Sequence, residues 1–313
     1  MPERIRWLPV VGLVVWLAVV AVRAPAGLVE ATLAELIVLF MPLCAAPLAV
    51  PLALQGGLSD RTWRRGAVAW GLVVALLAVG VALLDTGGAA ATALAGGWLV
   101  FAAAVAVAAA LRLLRRRPWS VAEGVLDLGL MALPGGAVWL LVYRAELVFA
   151  GFGGLAAVLT AAHFHAAGFG TLVMAGLCGR GLVRAGASRA LRVHAVLATL
   201  LVLAFAGLAA GIATGIRGIE LTGACIYAVA LPTLAGLQIF AAVRIAGGAT
   251  RALLVVSALG LLGATGYALM FAAQGFYGAA VPIATMLRMH GAVNAFVFLG
   301  LGLWGWSRVQ AAT

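Results

Sequence analysis

The chain is a succession of apolar runs, each closed off by a short segment that carries arginine. A hydrocarbon core of about 30 Å takes roughly 20 helical residues to cross. Inside it every backbone polar group has to be satisfied within the segment, so runs of this kind fold as helices. Ten of them stand at roughly 7–22, 27–54, 67–84, 94–113, 121–142, 154–178, 190–213, 220–244, 251–273 and 284–306. The expected fold is an all-α, polytopic transmembrane helix bundle of about ten helices, forming one domain over residues 1–313. With 65% hydrophobic and 9% charged residues, the chain lies far from soluble domains, which carry about 25% charged residues. The second run holds Pro42, Pro47 and Pro51, each without an amide donor, which predicts a kinked or broken helix.

The arginines set the orientation. A net charge of +11 would suit a nucleic-acid binder, but all 20 basic residues are arginines grouped between apolar runs. That is the pattern of positive-inside topology, and no nucleic-acid partner is expected. With the N-terminus cytoplasmic, sixteen of the twenty fall inside: Arg4, Arg6, Arg61, Arg64, Arg65, Arg112, Arg115, Arg116, Arg117, Arg180, Arg184, Arg189, Arg192, Arg244, Arg251 and Arg308. Arg23, Arg144 and Arg217 fall in outer loops, and Arg288 lies just inside the outer boundary. Ten helices with both termini cytoplasmic, in the cytoplasmic (inner) membrane, account for this bias. The first run, preceded by Arg4 and Arg6 and followed by Ala24-Pro25-Ala26, is read as a retained helix, with a cleavable signal as the alternative. Cys44, Cys178 and Cys225 stand singly in apolar runs as buried thiols. Gly207, Gly211 and Gly215 form a four-residue-spaced ridge for close helix packing.

Ionisable groups at membrane depth are costly and mark candidate sites. At about 1.5 Å per residue, Glu35 lies roughly 12 Å deep, His163 roughly 14 Å, His290 roughly 9 Å and Asn294 roughly 15 Å from the outer face. All four therefore fall in the outer half of the membrane. His290 and Asn294, four apart, share a face with Phe298, while Arg288 lies on another side. His163 and His165, two apart, diverge by about 200°, so at most one looks straight into a shared pocket. We favour His163 there, with His165 holding a neighbouring helix or a backbone carbonyl. Glu35 is read as a functional acid, or else as a carboxylate paired with arginine. Glu30 lies nearer the interface. Asp127 and Glu123 are expected to pair with Arg112–Arg117, and His194 to be structural.

Two polar helices carry a resemblance. LTAAHFHAAGF from Leu159 to Phe169, with MHGAVNAFVFLGLGLWGW from Met289 to Trp306, resembles the YndJ-like family of bacterial integral membrane proteins. The second helix, with Glu35 followed by LCAAPLAVPLAL from Leu43 to Leu54, fits the same pattern. Some actinobacterial proteins resembling this family look like atypical membrane-bound terpene cyclases. That resemblance implies acid-initiated cyclisation, by alkene or epoxide protonation, of a prenylated, lipid-soluble substrate reached from the bilayer. Such chemistry needs a neutral acid, a dry cavity and aromatic faces for passing carbocations. Under it Glu35 is the acid, polarised by a histidine, with His163 or His290 taking the last proton and Asn294 beside it. His165, Arg288, Glu30, Phe164, Phe169, Trp98, Trp139, Tyr267 and Phe298 are the candidate substrate-lining residues. The sequence has no Asp-Asp pair and no GxxxxGK loop, so neither cofactor nor metal is expected. Two alternatives stand: a proton-coupled membrane transporter, in which Glu35 and the histidines relay protons, and a haem- or metal-binding membrane protein using His163 and His290.

Overall fold

Among the described residues nine helices are seen from end to end and a tenth only in part, at 70–74, 76–77 and 79–80; eight of the nine are long and apolar enough to cross a membrane. The computed structural model describes residues 8–54, 66, 70–74, 76–77, 79–80, 88–116, 120–277 and 281–311. The helices are α1 (Leu8–Arg23), α2 (Glu30–Leu54), α3 (Ala89–Arg115), α4 (Val121–Arg144) and α5 (Gly154–Arg184). They continue with α6 (Ser188–Thr214), α7 (Arg217–Ile245), α8 (Gly248–Tyr277) and α9 (Ile283–Ala311). Each matches a run predicted from sequence to within a few residues. The predicted run at 67–84 is described in part, at 70–74, 76–77 and 79–80, all helical, while Arg4, Arg6, Arg61, Arg64, Arg65 and Arg117 lie outside the described residues. No strand occurs among the described residues beyond one isolated bridge, Phe149 to Phe152. Large apolar side chains such as Val100, Leu114, Val196 and Val229 face outward, as lipid-facing helices require.

Three helices depart from regular α geometry. Wide i→i+5 turns occupy Met41–Ala45 in α2, Phe164–Gly170 in α5 and Leu287–Leu301 in α9. In α2 the wide turn contains Pro42, and the helix resumes at Ala46, so it is widened rather than broken. A proline without its amide hydrogen is accommodated where the regular ladder is already interrupted. The start of α2 also differs from the sequence expectation by three residues. Pro25 lies in a short 3-10 turn and Gly27 takes φ 90°, so residues 27–29 form a link and the helix opens at Glu30.

The chain divides into two compact units, with α4 and α5 contributing to both. Unit 1 holds residues 1–115 and 130–169, unit 2 residues 116–129 and 170–313. In unit 1, α1 lies against α2 because Gly12 has no side chain: a Cβ there would overlap the Leu43 carbonyl in the wide turn. Trp16 fixes the register, its indole donating to the Leu36 carbonyl at 2.9 Å and its ring meeting Phe40 edge-on. The Arg112 guanidinium of α3 donates to the carbonyl of Ala53 near the end of α2.

In unit 2 the α6–α7 pair uses the glycine ridge only in part. Gly211 abuts the Glu220 backbone, Gly215 is a left-handed cap at φ 67°, and Gly207 faces open space. Helices α7, α8 and α9 are tied by one buried network. Gln238 donates to the Leu254 carbonyl at 2.9 Å and to Ser257 at 3.0 Å, and Ser257 donates to the Phe298 carbonyl at 2.7 Å. Glu123 pairs with Arg116 at 3.2 Å, as the sequence suggested, and also with Arg180 at 2.8 Å, while Asp127 lies 3.8 Å from Arg116. His194 is buried and donates to the Ala175 carbonyl at 2.8 Å.

Candidate functional site

Glu35 is the fifth residue after the start of α2 and is 7% exposed. Its Oε2 accepts from Arg23 at 2.6 Å. Its Oε1 accepts from the Tyr143 hydroxyl at 2.7 Å and lies 3.2 Å from Arg144. Arg23 is the last residue of α1 and Arg144 the last of α4, positions where a cation is favoured by the negative end of the helix dipole. The Thr92 hydroxyl of α3 donates to the Arg144 carbonyl at 3.3 Å, so four helices of unit 1 converge here. Because α2 begins at Glu30, Glu35 stands only roughly 8 Å from the helix start, within reach of side chains at the ends of neighbouring helices.

The chain leaving Arg144 is tightly turned. Glu146 and Ala150 both take positive φ, at 54° and 50°, which costs a residue with a Cβ on the order of 1 kcal/mol or more each. Phe149 and Phe152 pair by reciprocal backbone hydrogen bonds, and both rings meet the half-buried Trp139 at 5.7 Å. Leu147, Val148 and Phe149 remain exposed.

The two α5 histidines have opposite environments. His165 is fully buried. Its Nδ1 donates to the Ala161 carbonyl at 2.8 Å, and its Nε2 accepts from the Trp98 indole at 3.1 Å. An indole N–H only donates and a carbonyl only accepts, so this imidazole is neutral with its proton on Nδ1. It is stacked on Trp98, which is stacked in turn on Phe101, and Gly136 makes room for the ring: a Cβ there would overlap it. His163 is exposed on the surface of the helix, its Nδ1 donating to the Leu159 carbonyl at 2.9 Å. Phe164 packs close to Gly135, and Phe169 is buried.

In unit 2, His290 and Asn294 sit in the wide stretch of α9. His290 Nδ1 donates to the Ala264 carbonyl of α8 at 3.0 Å. The Asn294 side-chain amide is 3.3 Å from the same nitrogen, a place only its oxygen can fill once that nitrogen carries the proton. Phe298 is buried, Tyr267 half-buried and Arg288 exposed, while Glu30, in unit 1, is half-buried at the first turn of α2. Among the described residues no three His, Cys, Asp or Glu side chains converge as a metal would require.

The group around Glu35 therefore includes three residues that the sequence reading left out of the site. By sequence Arg23 and Arg144 are outer-loop cations, and Tyr143 carries no motif that sets it apart. The available signal was that Arg23 and Arg144 each end an apolar run on the face where α2 begins. The wide turns carry a second signal. All three lie in the helices that bear the polar motifs, and such turns are frequent at functional sites.

A family profile described as "YndJ-like protein" matches residues 36–298. The uncharacterised membrane protein YndJ of Bacillus subtilis (strain 168) is 29% identical over 220 residues, which are 69% of this chain and 38% of that protein. The chain thus covers well under half of that relative's length. No solved structure matches it. Its helices, its motif-bearing segments and the extent of the profile match lead to one conclusion: this is a multi-pass membrane protein that belongs to the YndJ-like family.

Proposed function

We infer that the protein is a membrane-bound terpene cyclase that folds a prenylated, lipid-soluble substrate by acid-initiated cyclisation. It would reside in the cytoplasmic membrane with both termini inside and take its substrate from the bilayer. The observation that carries this reading is the Glu35 group: a buried carboxyl hydrogen-bonded by Tyr143 and held by Arg23 and Arg144. The protonated carboxyl gives its proton to the terminal alkene carbon or to an epoxide oxygen. Alkene electron pairs then close the rings, and the last carbocation loses a proton to a base, so an alkene substrate yields an isomer. The carboxylate left behind has the Tyr143 hydroxyl and two guanidiniums as partners. The last proton goes to one of the two bases expected from the sequence, His163 or His290. Among the aromatic candidates of unit 1, the half-buried Trp139 and Phe164 are the rings offered to passing cations, whereas Trp98 and Phe169 are enclosed by protein.

The test is incubation of membranes containing the protein with a farnesylated aromatic or diketopiperazine compound and with its terminal epoxide. Mass spectrometry and NMR should find a product of unchanged mass with fewer alkene protons. Glu35→Gln should abolish it, and full retained turnover would remove Glu35 as the acid. Alanine at His163 or His290 identifies the acceptor; normal turnover by both variants overturns that assignment.

The carrier reading has one observation in its favour, the burial of nearly all of α2 around a proline-bearing wide turn, a shape suited to a midplane binding segment. Proton-coupled flux in proteoliposomes, without conversion of any prenylated substrate, would select it.

A further inference from the structure

The half-satisfied fork of Arg144 points to a ligand of its own. Its side chain is 6% exposed; among the described residues one terminal nitrogen meets Glu35 Oε1 at 3.2 Å, and the guanidinium carbon lies 5.2 Å from the centre of the Tyr143 ring. The buried Nε has no acceptor among the described residues. A guanidinium offers paired N–H groups that suit two oxygens of one anion, and a buried N–H left without an acceptor costs about 1–3 kcal/mol. Glu35 does not close the fork: its Oε1 meets one terminal nitrogen of Arg144, and its Oε2 is directed to Arg23 at 2.6 Å. The surroundings also favour an amphiphile. Arg144 ends a membrane-spanning helix, and the next turn exposes Leu147, Val148 and Phe149, side chains that suit the boundary between headgroups and acyl chains.

We propose that Arg144, beside Tyr143 and Arg23, forms a binding site for one phosphate-type oxyanion presented at the membrane surface, with two oxygens on the Arg144 fork. The anion comes either from a lipid headgroup or from free phosphate. The site does not depend on the cyclase reading, because it is read out by binding rather than turnover.

Purified protein in neutral detergent is titrated with inorganic phosphate, with phosphatidylglycerol, and with a diacylglycerol of the same chains but no phosphate. Thermal unfolding and native mass spectrometry are recorded for each. A rise in melting temperature and one bound molecule with phosphatidylglycerol alone assigns a lipid headgroup; the same with inorganic phosphate assigns the free ion. Either result supports the site, provided that Arg144→Gln abolishes the shift, Arg144→Lys, which keeps charge but loses the fork, weakens binding roughly tenfold, and Arg189→Gln at the exposed start of α6 leaves it intact. An equal shift in wild type and both Arg144 variants means annular lipid only and overturns the proposal. So does the absence of any bound phosphate or phosphatidylglycerol on the wild type, an outcome that needs no variant to fold.

Discussion

Glu35 is exposed to two demands: to remain a counter-ion for guanidiniums and, in the proposed chemistry, to give up a proton. Replacing it with glutamine keeps an oxygen for Tyr143 but removes the charge that Arg23 and Arg144 share. Removing one partner of a buried ion pair costs about 3–5 kcal/mol, so Glu35→Gln should lower stability by that order in a detergent unfolding assay. A loss below about 1 kcal/mol would show that the pairing contributes no more than a surface ion pair does. A second residue-scale prediction concerns Trp98. Changing it to Phe keeps the stack on His165 but leaves Nε2 of a fully buried imidazole without its donor. The expected cost is about 1–3 kcal/mol, read as a lower unfolding midpoint; an unchanged midpoint would mean the indole N–H contributes nothing there. These environments were only partly legible in the sequence. Spacing shows that His163 and His165 diverge, but which one is enclosed depends on Gly136 and Trp98, residues 29 and 67 positions away in the chain.

Helices were the most legible elements, because length and apolarity alone specify a crossing. Departures inside them were not, since a wide turn arises from how a helix is held by its neighbours. The glycine ridge of α6 illustrates the same limit. Its four-residue spacing predicts one continuous packing seam, yet a Cβ on Gly207 meets nothing within 4 Å whereas one on Gly211 would overlap the Glu220 backbone. Two alanine substitutions of equal appearance in the sequence should therefore act in opposite directions. Gly207→Ala should be neutral or stabilising by up to about 1 kcal/mol through helix propensity. Gly211→Ala should destabilise by about 1–3 kcal/mol, because backbone cannot rotate away as a side chain can. Equal effects on the unfolding midpoint would mean that α6 and α7 approach differently.

For the whole molecule, the Glu35 group constrains the path of the chain through the membrane. Arg23 ends α1 and Arg144 ends α4, and both meet one carboxylate, so these two helix ends lie at the same face of the bilayer. Between them α2, α3 and α4 supply three crossings, and the run at 67–84, predicted from sequence and helical at its described residues 70–74, 76–77 and 79–80, makes the number even. The arginine distribution, which expects ten helices with both termini cytoplasmic, uses the same even count. Single cysteines read by a membrane-impermeant maleimide on intact cells test it directly. Leu28→Cys, before α2, and Val148→Cys, after α4, are both exposed and should label from outside together. Gly247→Cys, three helices beyond Val148 between α7 and α8, should label only after permeabilisation. Labelling of Leu28→Cys and Val148→Cys from opposite sides would remove the crossing at 67–84 and, with it, the common face on which the carboxylate and its two arginines meet. Joint labelling of those two cysteines only after permeabilisation, with Gly247→Cys open to the outside, would keep the count of crossings but turn the protein over, placing Glu35 at the cytoplasmic face and both termini outside.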